Sequence, residues 1–195
     1  MNQIISSYVE ERRLLEMPGF VRDELDYAIR YTPIEQNAFG IICFTRASGE
    51  NIDEFIEEQV SFIEQKNLDF EWKVYDFDQP SYLRKKLLEK GFEEGDTEAF
   101  MVYDLSRFRV ENLDRSRFEN VQRIEDPEGL REVIKFQETI TNVSLPWILN
   151  YLRTIDVAVF GMYEEKSLIG TGWIEYQNNS EYADIHGGAV HPDFR

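Results

Sequence analysis

The chain has 195 residues, 42% of them hydrophobic and 14% aromatic, enough to build a packed core and to argue against wholesale disorder. Its 38 acidic and 21 basic residues give a formal net charge of -17, a surface that repels phosphate backbones and anionic lipid headgroups and so weighs against nucleic acid or membrane as a partner. A lone cysteine, Cys43, excludes an internal disulfide, and with no signal-peptide pattern at the start and no apolar run of about 20 residues, a cytoplasmic protein is expected.

Residues 1–26 are mixed and acidic and read as one or two short helices around Met17-Pro18-Gly19. "DYAIRYTPI" and "AFGIICFTR" read as two strands joined by "EQN". "ENIDEFIEEQVSFIEQKN" is a helix with Asn51 as its cap, and Ile52, Phe55, Ile56, Val60 and Ile63 share one face of it. Its acidic face, with Glu54, Glu57, Glu58 and Glu64, reads as solvated surface. "FEWKVYDFD" reads as a strand, "QPSYLRKKLLEKGF" as a helix opened near Pro80 and closed by Gly91, and "EAFMVYDL" as a further strand.

Residues 106–120 lack periodic apolar positions and read as a linker. Beyond it, "VQRI" is a strand. Asp126 caps a helix with Pro127 at its first position, and Leu130, Val133, Ile134 and Gln137 line one side. "LPWILNYLR" is a short second helix. "DVAVFGMY", "SLIGTGWIEY" and "YADIHGGAV" then follow as three strands in meander order, with tight-turn material in "EEK" and "NNS". The expected class is α/β, layered in the α+β manner, with mixed, largely antiparallel sheets flanked by helices.

A strand, two helices and three strands ending in "GGAVHPDFR" resemble the first half of the GCN5-related N-acetyltransferase (GNAT) superfamily. In that family an aliphatic residue and a Pro-containing turn lead into the pyrophosphate loop Arg/Gln-x-x-Gly-x-Gly/Ala, and "VHPDFR" matches that lead-in with Arg195 at the loop's first position. The resemblance covers residues 118–195. More weakly, the first half resembles the later elements of a GNAT domain, with a helix ending in Gly-Phe. There Arg46-Ala47-Ser48-Gly49-Glu50-Asn51 imitates the loop but has Asn51 where Gly or Ala is required, the mark of a degenerate copy. The resemblance implies two GNAT-like units, a degenerate one over residues 1–110 and an acetyltransferase half over 111–195, cut before most of the pyrophosphate loop. Such a cut implies weak binding of coenzyme A or none, and favours self-association into a homo-oligomer through an uncovered face and edge of the second sheet.

The implied activity is transfer of an acetyl group from acetyl-CoA to an amine of a small molecule or peptide. Such a reaction must hold the cofactor, deprotonate the amine and stabilise the departing thiolate. In the family the strand matching 182–190 splays from its neighbour and offers its edge to the pantetheine arm. This points to the main chains of Gly188, Ala189 and Val190, with Arg195 on the diphosphate side. The paired glycines alone fit a bend under a close-packed helix equally well. By the resemblance Asp184 takes the place of the family's strand glutamate as general base, with His186, two residues on, as the other candidate. The family's tyrosine acid is not assigned to Tyr75, Tyr82 or Tyr103. His186 and His191 are the only histidines and no metal site is expected. Trp72, Trp147 and Trp173 read as core or cleft-wall residues. The competing reading is a non-catalytic GNAT-like binding or dimerisation module.

Overall fold

In a computed structural model the chain divides into two compact units, residues 1–103 and 104–195. The structure describes residues 3–34, 39–109, 113–142, 148–177 and 180–195, so Trp147, the "EQN" connection and part of the "NNS" connection lie outside the described residues. Two four-stranded sheets, each with helices, make this an α/β fold as expected. No helix among the described residues is long and apolar enough to cross a membrane.

The first unit opens with α1 (Gln3–Arg13), followed by β1 (Phe20–Glu24), β2 (Ile29–Pro33) and β3 (Gly40–Cys43). Then come α2 (Ile52–Lys66), β4 (Phe70–Trp72) and α3 (Leu83–Glu89). The sheet order is β1-β2-β3-β4, antiparallel except for the β3–β4 pair. The reading of the first 26 residues as one or two short helices holds for α1, whereas Phe20–Glu24 is a strand and corrects it. Its charges are matched across the ladder: Asp23 lies opposite Arg30 and pairs with it at 2.8 Å, the cross-strand arrangement that stabilises a sheet. Asn51 precedes α2 but does not cap it with its side chain, which donates instead to the Tyr27 hydroxyl at 2.6 Å. The acidic face of α2 is exposed as expected, with Asp53 and Glu57 bound by Lys86 and Lys90. Gly91 ends α3 with φ of +91°, a left-handed conformation that favours glycine.

Two further strand readings need correction. The "FEWKVYDFD" strand ends at Trp72 because the Asp78 carboxylate accepts the Tyr75 N–H at 2.9 Å and folds the chain into a turn. "EAFMVYDL" forms no strand: the Phe100 ring packs against Tyr8, Tyr75 and Phe77, while Met101 and Tyr103 face outward. Strand-forming side chains without a ladder partner do not make a strand. The first unit's core centres on Ile42, Ile52, Phe55, Ile56, Trp72 and Leu83. Beneath it, burial pushes the Cys43 thiol up to about 12 and the Asp78 carboxyl up to about 7.

Among the described residues of 104–120 are the short 3-10 turns Leu105–Arg107 and Arg115–Phe118, opened by Asp104 and Asp114 side chains that accept the N–H groups of Ser106 and Ser116. The second unit then follows the expected order: β5 (Val121–Ile124), α4 (Pro127–Thr141), α5 (Ile148–Thr154), β6 (Asp156–Glu164), β7 (Ser167–Tyr176) and β8 (Ala183–Val190). Its sheet is antiparallel throughout in the order β5-β6-β7-β8. Asp126 caps α4 by accepting from the N–H groups of Glu128 and Gly129 at 3.0 and 2.9 Å. One sheet face, with Ile124, Val159 and Trp173, packs on Val133 of α4 and on Ile148 and Leu152 of α5.

Candidate active site

Strand β8 is the outer strand of the second sheet among the described residues, and its ladder is broken where the sequence pairs two glycines. Ala189 lies opposite Thr171 and His186 opposite Trp173, so Gly187 and Gly188 together face Gly172 alone. This is a β-bulge. Gly187 sits at φ of +63°, and a Cβ there would fall 1.7 Å from Cζ3 of Trp173. No side chain fits. Gly188 has nothing within 4 Å of the corresponding point. The Gly187 carbonyl leaves the ladder and accepts from Gln137 Nε2 of α4 and, at 3.2 Å, from the Thr171 hydroxyl. The bulge is therefore locked from the helix side by a side-chain amide that is 5% exposed. The structure matches the reading of the glycine pair as a bend beneath a close-packed helix: α4 reaches Gly187 through Gln137, and the strand is bulged there.

Residues directly opposite in an antiparallel pair point to the same face. Asp184 opposes Glu175 and His186 opposes Trp173, so both candidate bases share the face that carries Trp173 and Glu175. Glu175 is 5% exposed, accepts a 2.9 Å hydrogen bond from Trp173 Nε1, and brings its other oxygen 3.9 Å from His186 Nε2. His186 is half exposed and Asp184 intermediate. Ile185, on the opposite face, is exposed.

Beyond the bulge, the His191 N–H donates to the Ile169 carbonyl at 2.8 Å. The alternation of an antiparallel ladder then turns the main-chain groups of Val190 away from β7. Consistent with this, the Val190 carbonyl accepts from Arg195 Nε at 3.2 Å. Ala189 is buried. His191 Nδ1 accepts the Asp193 N–H at 3.3 Å and opens the 3-10 turn Pro192–Phe194. Among the described residues no three His, Cys, Asp or Glu side chains gather as a metal site.

The loop-like stretch of the first unit is differently disposed. The Arg46 N–H donates to the Tyr27 carbonyl, Ala47 to Gln79 and Asn51 to Ser48, and the Arg46 guanidinium pairs with Glu10. Amides already engaged within the chain are not offered to a phosphate.

Sequence reasoning named Asp184, His186, Gly188, Ala189, Val190 and Arg195 but gave no role to Glu175 or to the amide of Gln137. The signal for Glu175 was available. In "GTGWIEY" the alternation that turns Trp173 inward turns Glu175 inward as well, and a carboxylate at an inward strand position is unusual.

The sequence matches no protein-family model and no curated protein. A solved structure described as a GCN5-related N-acetyltransferase from Kribbella flavida is similar at a TM-score of 0.65, with 9% sequence identity, over 99% of this chain and 73% of that one. At that identity the likeness speaks to architecture alone, and the architecture it supports is the GNAT fold.

Proposed function

We propose that the protein is an N-acetyltransferase that moves the acetyl group of acetyl-CoA to an amine of a small molecule or peptide. The observation that carries this reading is the bulged outer strand β8, with an outward-facing main chain at Val190 and open space at Gly188, on the same strand as His186 and Asp184. An extended, amide-bearing chain such as pantetheine is recognised by an unpaired strand edge through main-chain hydrogen bonds, each contributing about 1 kcal/mol net. Gly188 and Val190 supply that edge, and Arg195 brings a positive charge beside it.

Acetyl-CoA supplies an activated thioester. As the C–N bond forms and the C–S bond breaks, an acceptor ammonium gives up two protons, one ending on the sulfur and one in solvent. The chain's part is to hold the edge and to accept the amine's proton through Asp184 or His186. The -17 net charge favours a cationic acceptor by raising its concentration near the surface. In the first unit, the engaged amides of Arg46 and Ala47 together with the acids at Glu50 and Asp53 favour a non-catalytic role.

The test is thiol release from acetyl-CoA in the presence of a lysine-containing peptide or spermidine. Release by the wild-type protein that falls in the Asp184→Asn/His186→Gln double variant supports the proposal. Release that is unchanged in the double variant, or absent with both acceptors at millimolar acetyl-CoA, contradicts it.

A further inference from the structure

We propose that Glu175 is the positioning residue for His186: it holds the Nε2 side of the imidazole so that Nδ1 is free to take the proton of the acceptor amine. The inference deepens the acetyltransferase reading and rests on it for the identity of the amine, though the pairing itself rests on geometry alone.

A carboxylate that is 5% exposed is out of place in a sheet core unless something holds it. Its Oε1 is held by the indole N–H of Trp173 at 2.9 Å. That indole is itself immobile: it packs among Val133, Leu152 and Val159, and Gly187 presses on its ring. The anchored carboxylate brings Oε2 to 3.9 Å from His186 Nε2. That separation is longer than a hydrogen bond, and about 1 Å of ring movement closes it to hydrogen-bond distance. The half-exposed imidazole is free to make that movement, whereas Glu175 is not. Donation from Nε2–H to a fixed carboxylate sets the tautomer and leaves the Nδ1 lone pair as proton acceptor.

Placement along β8 favours His186 over Asp184 for this role. His186 is the residue immediately before the bulge, on the same strand as the outward groups of Val190, whereas Asp184 lies farther from the bulge and directly opposite Glu175. The chain Trp173, Glu175, His186 runs from the packed core to the surface and ends next to the proposed cofactor edge.

The test combines nuclear magnetic resonance of the wild-type chain with kinetics. At low temperature His186 is expected to show a downfield Nε2–H proton, absent in His186→Gln, lost in Glu175→Gln and retained in Asp184→Asn. With acetyl-CoA and a lysine-containing peptide, Glu175→Gln should lower kcat by roughly 100-fold, the low end of a general base's contribution, with KM for acetyl-CoA unchanged. Asp184→Asn should cost less than His186→Gln. A wild-type protein without the Nε2–H signal overturns the proposal even if Glu175→Gln does not fold. A folded Glu175→Gln variant with wild-type kcat overturns it as well. If no acetyl transfer occurs with any protein, the acetyltransferase reading falls, and the presence or absence of the Nε2–H proton still decides whether Glu175 holds His186.

Discussion

The adjacent glycines at the bulge should respond in opposite ways to the same substitution. Gly187→Ala forces an L-residue into a left-handed conformation at φ of +63°, which costs about 1–2 kcal/mol. It also sets a methyl group 1.7 Å from Cζ3 of Trp173, so the indole must shift within a packed cluster, an overpacking cost of about 1–3 kcal/mol. The expected loss in the second unit is therefore about 2–5 kcal/mol, close to the whole stability of many small units. Gly188→Ala meets nothing within 4 Å and no positive φ, so its cost should stay within about 0.5 kcal/mol. Urea unfolding followed by circular dichroism, with amide hydrogen exchange of β7 and β8 to isolate the second unit from the first, measures both. A Gly187→Ala loss under about 1 kcal/mol, or equal losses at the two positions, would refute the bulge geometry and the packing of Trp173 beneath it.

Three other perturbations follow from the same geometry. Gln137→Leu removes the buried amide that binds the Gly187 carbonyl and should cost about 1–2 kcal/mol, with faster amide exchange confined to residues 186–190. Asp126→Ala strips the acceptor from two amides at the start of α4 and should cost about 1 kcal/mol in urea unfolding. For Asp78, burial raises the carboxyl from 3.8 to about 7, so the folded state binds a proton that the unfolded state has released. Stability of the first unit should fall as pH rises from about 4 to 7 and then level off, and Asp78→Asn should flatten that slope in pH-dependent urea unfolding.

The second unit was legible because local signals agree with its topology. Asp126-Pro127 opens α4, the alternating strands are long, and the connections between them are short. The first unit was less so, because its strands are decided by partners distant in sequence. Phe20–Glu24 has the composition of a surface helix and is a strand through its pairing with β2, where Arg30 stands opposite Asp23. Residues 98–105 have strand composition, yet Phe100 is claimed by an aromatic cluster instead of a ladder. At the candidate site, the paired glycines of "HGGAV" announced a bend, but which glycine is essential depends on Trp173, which no spacing rule connects to Gly187. The alternation in "GTGWIEY" marks Glu175 as an inward carboxylate, but its nearness to His186 follows from a cross-strand register that places Trp173 opposite His186.

The central claim is that β8 offers its outer edge to acetyl-CoA, and backbone amide resonances test it most directly. Titrating acetyl-CoA to millimolar concentration into the labelled protein should shift the amides of Gly188 and Val190 and their neighbours in 186–191, and should slow hydrogen exchange at Val190. The amides of residues 46–51 should not move. Shifts confined to residues 46–51, or an unperturbed β8 at saturating acetyl-CoA, would contradict the account.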